Sequence, residues 1–149
     1  MRPIDRIILH CSATRTNQDI GAAEIRKWHT TPPRNWSDIG YHYVIRRDGT
    51  IEPGRPLDRA GAHTKGHNAT SIGICYVGGI AGDGTPEDNM TAAQEMSWML
   101  LVNSIRVLFR PDITVHGHNE YSTKACPSFD VQQKYGFLNH PEHQNPWNS

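Results

Sequence analysis

At 149 residues the chain has the length of one domain, enough to bury roughly two-thirds of its unfolded surface around a single core. Fifteen Lys and Arg balance fifteen Asp and Glu, so no basic excess exists to draw in nucleic acid or an anionic membrane, and neither is expected as a partner. No run approaches 18 consecutive apolar residues, which excludes a membrane-spanning helix, and clustered Leu, Ile, Val, Met and Trp exclude global disorder.

Residues 4–10, IDRIILH, read as a buried strand, a short β-branched run closed by a histidine. Ile7-Ile8-Leu9 is too short for a secretory apolar segment, so no export signal and a cytoplasmic location are expected. A polar loop over Ser12–Gln18 leads to a helix expected over 20–29, with Asp19 as N-cap and Ile25 and Trp28 on one face. Thr30-Thr31-Pro32-Pro33 stops it, because proline lacks an N–H and clashes with the preceding turn. Residues 41–46, YHYVIR, alternate as a strand. Asp48-Gly49 then supplies a hairpin turn, and Thr50-Ile51-Glu52 returns as the partner.

A Gly/His-rich loop fills 60–70. The segment SIGICYV at 71–77 is the most hydrophobic and is expected to be the central strand, ending at Gly78-Gly79. After a loop over Ala81–Asn89, Thr91-Ala92-Ala93-Gln94 reads as a capping box. The helix it opens is expected to reach 109, with Trp98, Leu101, Val102, Ile105, Leu108 and Phe109 as one apolar stripe ended by Pro111. DITV at 112–115 is a further strand leading into His116-Gly117-His118, and a short segment follows around 130–136. Residues 139–149 are expected to form a polar surface tail, leaving 1–138 as the domain. The order of elements predicts an α/β fold, a single central mixed β-sheet flanked by helices, and a monomer is expected.

Three cysteines without a signal argue against a disulfide framework, so each thiol is read for metal or redox chemistry. Nine histidines are the unusual entry in the composition. Zinc sites that keep a position open use three protein donors, commonly imidazole and thiolate. His10 at the end of the first strand, His118 just past the last strand and Cys126 eight positions later are the candidates. By spacing alone the plainer alternatives stand: a satisfied strand-end histidine and a buried thiol.

The segments IILHCSAT (7–14), GYHYVIRRDGTIEPGR (40–55), AHTKGHNATSIGICYVGG (62–79) and HNEYSTKACPSFD (118–130) resemble, in this order, the zinc-dependent N-acetylmuramoyl-L-alanine amidases. The likeness is strongest to the branch of T-odd bacteriophage lysozymes, and the wider superfamily includes the peptidoglycan recognition proteins. It spans residues 4–130. The resemblance implies that fold, Zn²⁺ held by His10, His118 and Cys126, and a peptidoglycan or muropeptide substrate. It implies Tyr41, in Gly40-Tyr41-His42, and Lys124, two residues before Cys126, as catalytic groups. It also implies a groove histidine at His63, lining the cleft or shuttling a proton. Lys65, His67 and Asn68 in the same loop are expected to contact substrate.

Amide hydrolysis needs a nucleophile at neutral pH and a stabilised oxyanion, and zinc, a lysine charge and a phenol suit that chemistry. Some branches of the family carry a glutamate base in the strand that reads IGICYVGG here. Cys75 stands at that place, as in the phage branch, and is read as a core thiol. His29, His42, His140 and His143 are read as structural or surface residues, and Cys11 as pointing away from His10. Rival readings are a peptidoglycan-binding protein without catalysis and a regulator of a phage RNA polymerase. The presence of Cys126, Tyr41 and Lys124 together argues for the enzyme.

Overall fold

A computed structural model describes residues 1–144. Strands β1 (Arg6–Cys11), β3 (Tyr43–Ile45), β4 (Ile51–Pro53), β5 (Ser71–Tyr76) and β7 (Thr114–Gly117) form one sheet in the order β4-β3-β5-β1-β7. All neighbours are parallel except the β3–β4 hairpin, so the sheet is mixed. A second ribbon pairs β2 (Thr14–Arg15) with β6 (Gly79–Ile80), two-residue strands too short to leave a periodic signal in the sequence. Helices α1 (Ala22–Thr30), α2 (Ala92–Leu108) and α3 (Val131–Tyr135) complete the layers. No helix among the described residues is long and apolar enough to cross a membrane.

Strand alternation sorts the side chains into two layers. Ile7, Leu9 and Cys11 of β1 and Ile72, Ile74 and Tyr76 of β5 join Trp98, Leu101, Val102 and Ile105 of α2 in the larger core. Each such aliphatic side chain contributes roughly 1.5–3 kcal/mol on burial. The opposite face packs Val44, Cys75 and Val77 against Ala22 and Ile25 of α1 and against Ile39. His10, between Leu9 and Cys11, therefore faces this second, smaller layer, and Cys75 is a fully buried core thiol there.

The capping box at Thr91 forms as the sequence predicts. Gln94 N–H donates to Thr91 Oγ1 and Thr91 N–H donates to Gln94 Oε1, both at 3.0 Å. Gln94 is also fully buried, and its Nε2 donates to the carbonyls of Ile45 and Val77, tying the helix start to the ends of β3 and β5. Leu108, expected in the apolar stripe, is 60% exposed at the last turn.

Other expectations are corrected. The N-cap of α1 is Gly21, not Asp19. Glu24 Oε2 accepts from Gly21 N–H and Glu52 Oε1 accepts from Ala22 N–H, while Asp19 is taken by Arg46 at 2.8 Å. Ile25 is buried, but Trp28 is 41% exposed, because Ala22, Ile25 and His29 form the inward stripe. Strand β3 is shorter than expected, leaving Tyr41 and His42 ahead of the ladder. Hydrogen bonds also run from residues 139 and 143 to the rest of the chain. Asn139 exchanges two with the backbone of Val115, and the His143 carbonyl accepts from the buried guanidinium of Arg106. The last five residues of the expected tail, 145–149, lie outside the described residues.

Candidate metal centre and its groove

Two parallel strands side by side deliver the first two donors. In the β1–β7 register Leu9 faces Gly117, so the next residue on each chain, His10 and His118, emerges at the same carboxyl edge of the sheet. Their ring centroids are 4.5 Å apart. The loop before α3 brings in Cys126, whose sulfur accepts from Cys11 N–H at 3.3 Å. One donor atom from each of His10, His118 and Cys126 lies within 4.8 Å of the others.

The arrangement fits a tetrahedral cation on two counts. The 3.7 Å between Cys126 Sγ and His10 Nδ1 is close to the roughly 3.5 Å edge expected from Zn–N and Zn–S bonds near 2.0–2.1 and 2.3 Å. In addition, His118 Nδ1 is buried without a hydrogen-bond partner, a vacancy that normally carries a penalty. Burial, reinforced by the neighbouring imidazoles and the Lys124 charge, holds His10 well below the ordinary histidine range. Burial and Lys124 lower His118 in the same direction. Both rings are thus neutral at pH 7, the form that ligates. The adjacent Cys11 thiol and burial push Cys126 up, so a cation is the charge that would favour its thiolate.

Tyr41 stands with its ring 5.0 Å from that of His10. Its backbone is pinned on both sides: Gly40 N–H donates to His29 Nδ1 and the Tyr41 carbonyl accepts from Arg55 N–H. Burial and the nearby thiols raise its hydroxyl well above the ordinary tyrosine value, so it keeps its proton and acts as a donor. Lys124 is exposed in the loop between His118 and Cys126 and lines a cavity of about 510 Å³ beside the cluster.

That cavity is walled by Trp36, Thr64, Lys65, Tyr121 and Lys124, with His63 and His118 at its inner side. Lys65 is exposed in it. Asn68 borders it while bracing the loop, its Oδ1 accepting from the N–H groups of His63 and Thr64 at 2.9 Å. His67 is outside the lining: its ring lies 4.1 Å from that of Tyr121, and Nδ1 is 3.2 Å from Arg6. His63 is buried, with both ring nitrogens engaged inside the protein. His116 pairs with Glu120 at 3.0 Å, away from the cluster.

Sequence reasoning missed Trp36, Tyr121 and the roles of Thr64, Ser71 and His29. The usable signal for the first was a lone tryptophan in the polar Arg34–Asp38 turn, and for Tyr121 an aromatic between His118 and Lys124.

Two further buried histidines give a pH dependence. Burial holds both His29 and His42 down at about 4. In the unfolded chain each takes a proton near 6.5, so between those values the unfolded state binds more protons and folding weakens as pH falls. The urea midpoint of the metal-free protein is expected to drop steadily from pH 6.5 towards 4. A midpoint constant over that interval would contradict the assignment.

A mixed α/β domain with two imidazoles and a thiol beside a cationic, aromatic groove is the class of arrangement that suits a single-metal hydrolase. The chain belongs to the N-acetylmuramoyl-L-alanine amidase family, whose profile matches residues 1–129. It is 45% identical over 128 residues to the endolysin of Enterobacteria phage K11, covering 86% of this chain and 83% of that protein. It is 43% identical over 129 residues to the endolysin of Escherichia phage T7, covering 87% and 83%. Among solved structures, the N-acetylmuramoyl-L-alanine amidase LysC from Clostridium intestinale superposes with a TM-score of 0.77 at 28% identity, over 93% of this chain and 87% of that one. The family expected from the four ordered motifs, and the mixed-sheet fold expected with it, are both met.

Proposed function

We propose that the protein is an N-acetylmuramoyl-L-alanine amidase that hydrolyses the amide between N-acetylmuramic acid and L-alanine in peptidoglycan, using one Zn²⁺ held by His10, His118 and Cys126. The observation that carries the metal is the unpartnered, buried Nδ1 of His118 converging with His10 and Cys126. The family match carries the bond. Zinc, when bound there, supplies a Lewis acid for the carbonyl and a water-derived nucleophile at neutral pH.

The chain's own groups supply the rest. Lys124 offers a positive charge at the mouth of the cluster, where it offsets the charge that develops on the carbonyl oxygen. Tyr41 lines a separate small cavity with Ser12, His29 and Arg34 rather than the groove, but its ring lies 5.0 Å from that of His10. As a protonated phenol it is the group that donates a hydrogen bond beside the metal ligands. Cys75, neutral and fully buried, leaves no carboxylate base on β5, so proton handling falls to the groove side. Trp36 and Tyr121 wall the cavity with apolar surface, and Lys65 adds a second cation suited to the carboxylates of a stem peptide.

Digestion of purified sacculi tests the bond. The expected products are stem peptides with a free L-alanine amino terminus and intact glycan, read by mass spectrometry. Glycosidases work through a pair of carboxylates flanking the bond, which the groove lacks among its lining residues. New reducing sugar ends without free L-alanine termini would overturn the reading.

A further inference from the structure

His63 is a buried imidazole to which the hydrolytic reading assigns no step, yet the fold makes room for it deliberately. Its ring lies flat over Gly73 of β5, where any Cβ would come within 2.6 Å of His63 Cγ and Cδ2. Its edge meets the His10 ring at 88°, with centroids 4.9 Å apart. His63 Nδ1 is 2.8 Å from His10 Nε2, and His63 Nε2 is 3.2 Å from Ser71 Oγ. Thr64 Oγ1 sits within 3.0 Å of His63 Nδ1 and 3.3 Å of His10 Nε2, closing the contact from the side.

A neutral imidazole has one N–H, so the 2.8 Å contact admits two arrangements. In the first, His63 Nδ1–H donates to His10 Nε2. His10 then carries its own proton on Nδ1, the nitrogen 3.7 Å from Cys126 Sγ, and that donor position is blocked. In the second, His10 Nε2–H donates to His63 Nδ1. His63 then holds its proton on Nε2 and passes it to Ser71 Oγ as a hydrogen bond. Only the second leaves the His10 Nδ1 lone pair facing His118 and Cys126, and it satisfies every ring nitrogen on the way.

We infer that His63 is a positioning residue, which accepts the Nε2 proton of His10 and so fixes the tautomer and ring orientation in which His10 ligates through Nδ1. The inference rests on the metal site proposed above. Partners of this kind on ligating histidines are typically worth about 10–100-fold in metal affinity.

The test is zinc affinity of the full-length chain, measured by chelator competition on wild type, His63→Leu and His63→Asn. Leucine fills most of the ring's space without an acceptor, and a loss of about 10–100-fold is expected. Asparagine places Oδ1 near the position of Nδ1, so it should recover most of that loss. A role in packing alone predicts the reverse order. Wild-type affinity in His63→Leu, or asparagine no better than leucine, overturns the inference. Long-range ¹H–¹⁵N spectra of the zinc-loaded wild type give a readout that no variant's folding can compromise. They should show His63 protonated on Nε2 and bare on Nδ1, and the opposite tautomer overturns the inference. A wild-type chain that takes up no zinc sinks the site reading itself, whereas one that binds zinc with His63 in the opposite tautomer sinks only the role of His63.

Discussion

Cys126→Ser is expected to lose zinc and activity together while keeping the fold. The sulfur accepts from Cys11 N–H at 3.3 Å, a hydrogen bond that a serine oxygen also makes, and the residue is only partly buried against the core. A neutral hydroxyl is nevertheless a poor donor where a thiolate stood, and the two remaining imidazoles do not make a closed three-donor set. Without the metal, water loses the lowered pKa that makes it a nucleophile at neutral pH, so turnover should fall by several orders of magnitude. Metal analysis after gel filtration, paired with dye release from labelled sacculi, checks both effects. Full zinc stoichiometry in the variant would remove Cys126 from the ligand set.

Lys124→Ala and Tyr41→Phe should separate chemistry from metal binding. Neither side chain belongs to the donor cluster, so zinc content should remain at the wild-type level. Loss of one group that stabilises developing charge typically lowers kcat by about 10²–10³-fold, and a drop of that order is expected for Lys124→Ala with a smaller change in KM. Tyr41→Phe preserves the ring that packs 5.0 Å from His10 and removes only the hydroxyl, so a large effect there is not a packing effect. Near wild-type rates in both variants would leave the catalytic work to the metal alone.

Groove contacts were harder to read than ligands, and the loop at 60–70 shows why. The resemblance through His63 implied that it contacts substrate, and Lys65 does line the cavity. Its other polar groups also make partners inside the protein. Asn68 caps the backbone of His63 and Thr64, His67 stacks on Tyr121, and His63 reaches His10. Those partners are distant in sequence, and no local pattern in a Gly/His-rich loop says which side of it faces the groove.

By itself the sequence determined the family, through four ordered motifs, and most of the element order, because hydrophobic period and stop signals are local. SIGICYV became β5, and Thr91 with Gln94 closed the capping box over α2. The α1 N-cap escaped it, since Glu24 and the distant Glu52 satisfy the first amides and Arg46 draws Asp19 away. Spacing alone offered His10, His118 and Cys126 as candidate ligands at two strand ends and a loop, with a satisfied histidine and a buried thiol as the plainer alternatives. Only tertiary structure decided that they converge, because the register of β1 on β7 sets His10 beside His118 and the loop before α3 closes over them. The tautomer relation of His10 to His63 was likewise decided in three dimensions. A side chain at residue 73 would have displaced the ring, and a hydrogen bond between residues 53 positions apart exists only once β1 and β5 are paired.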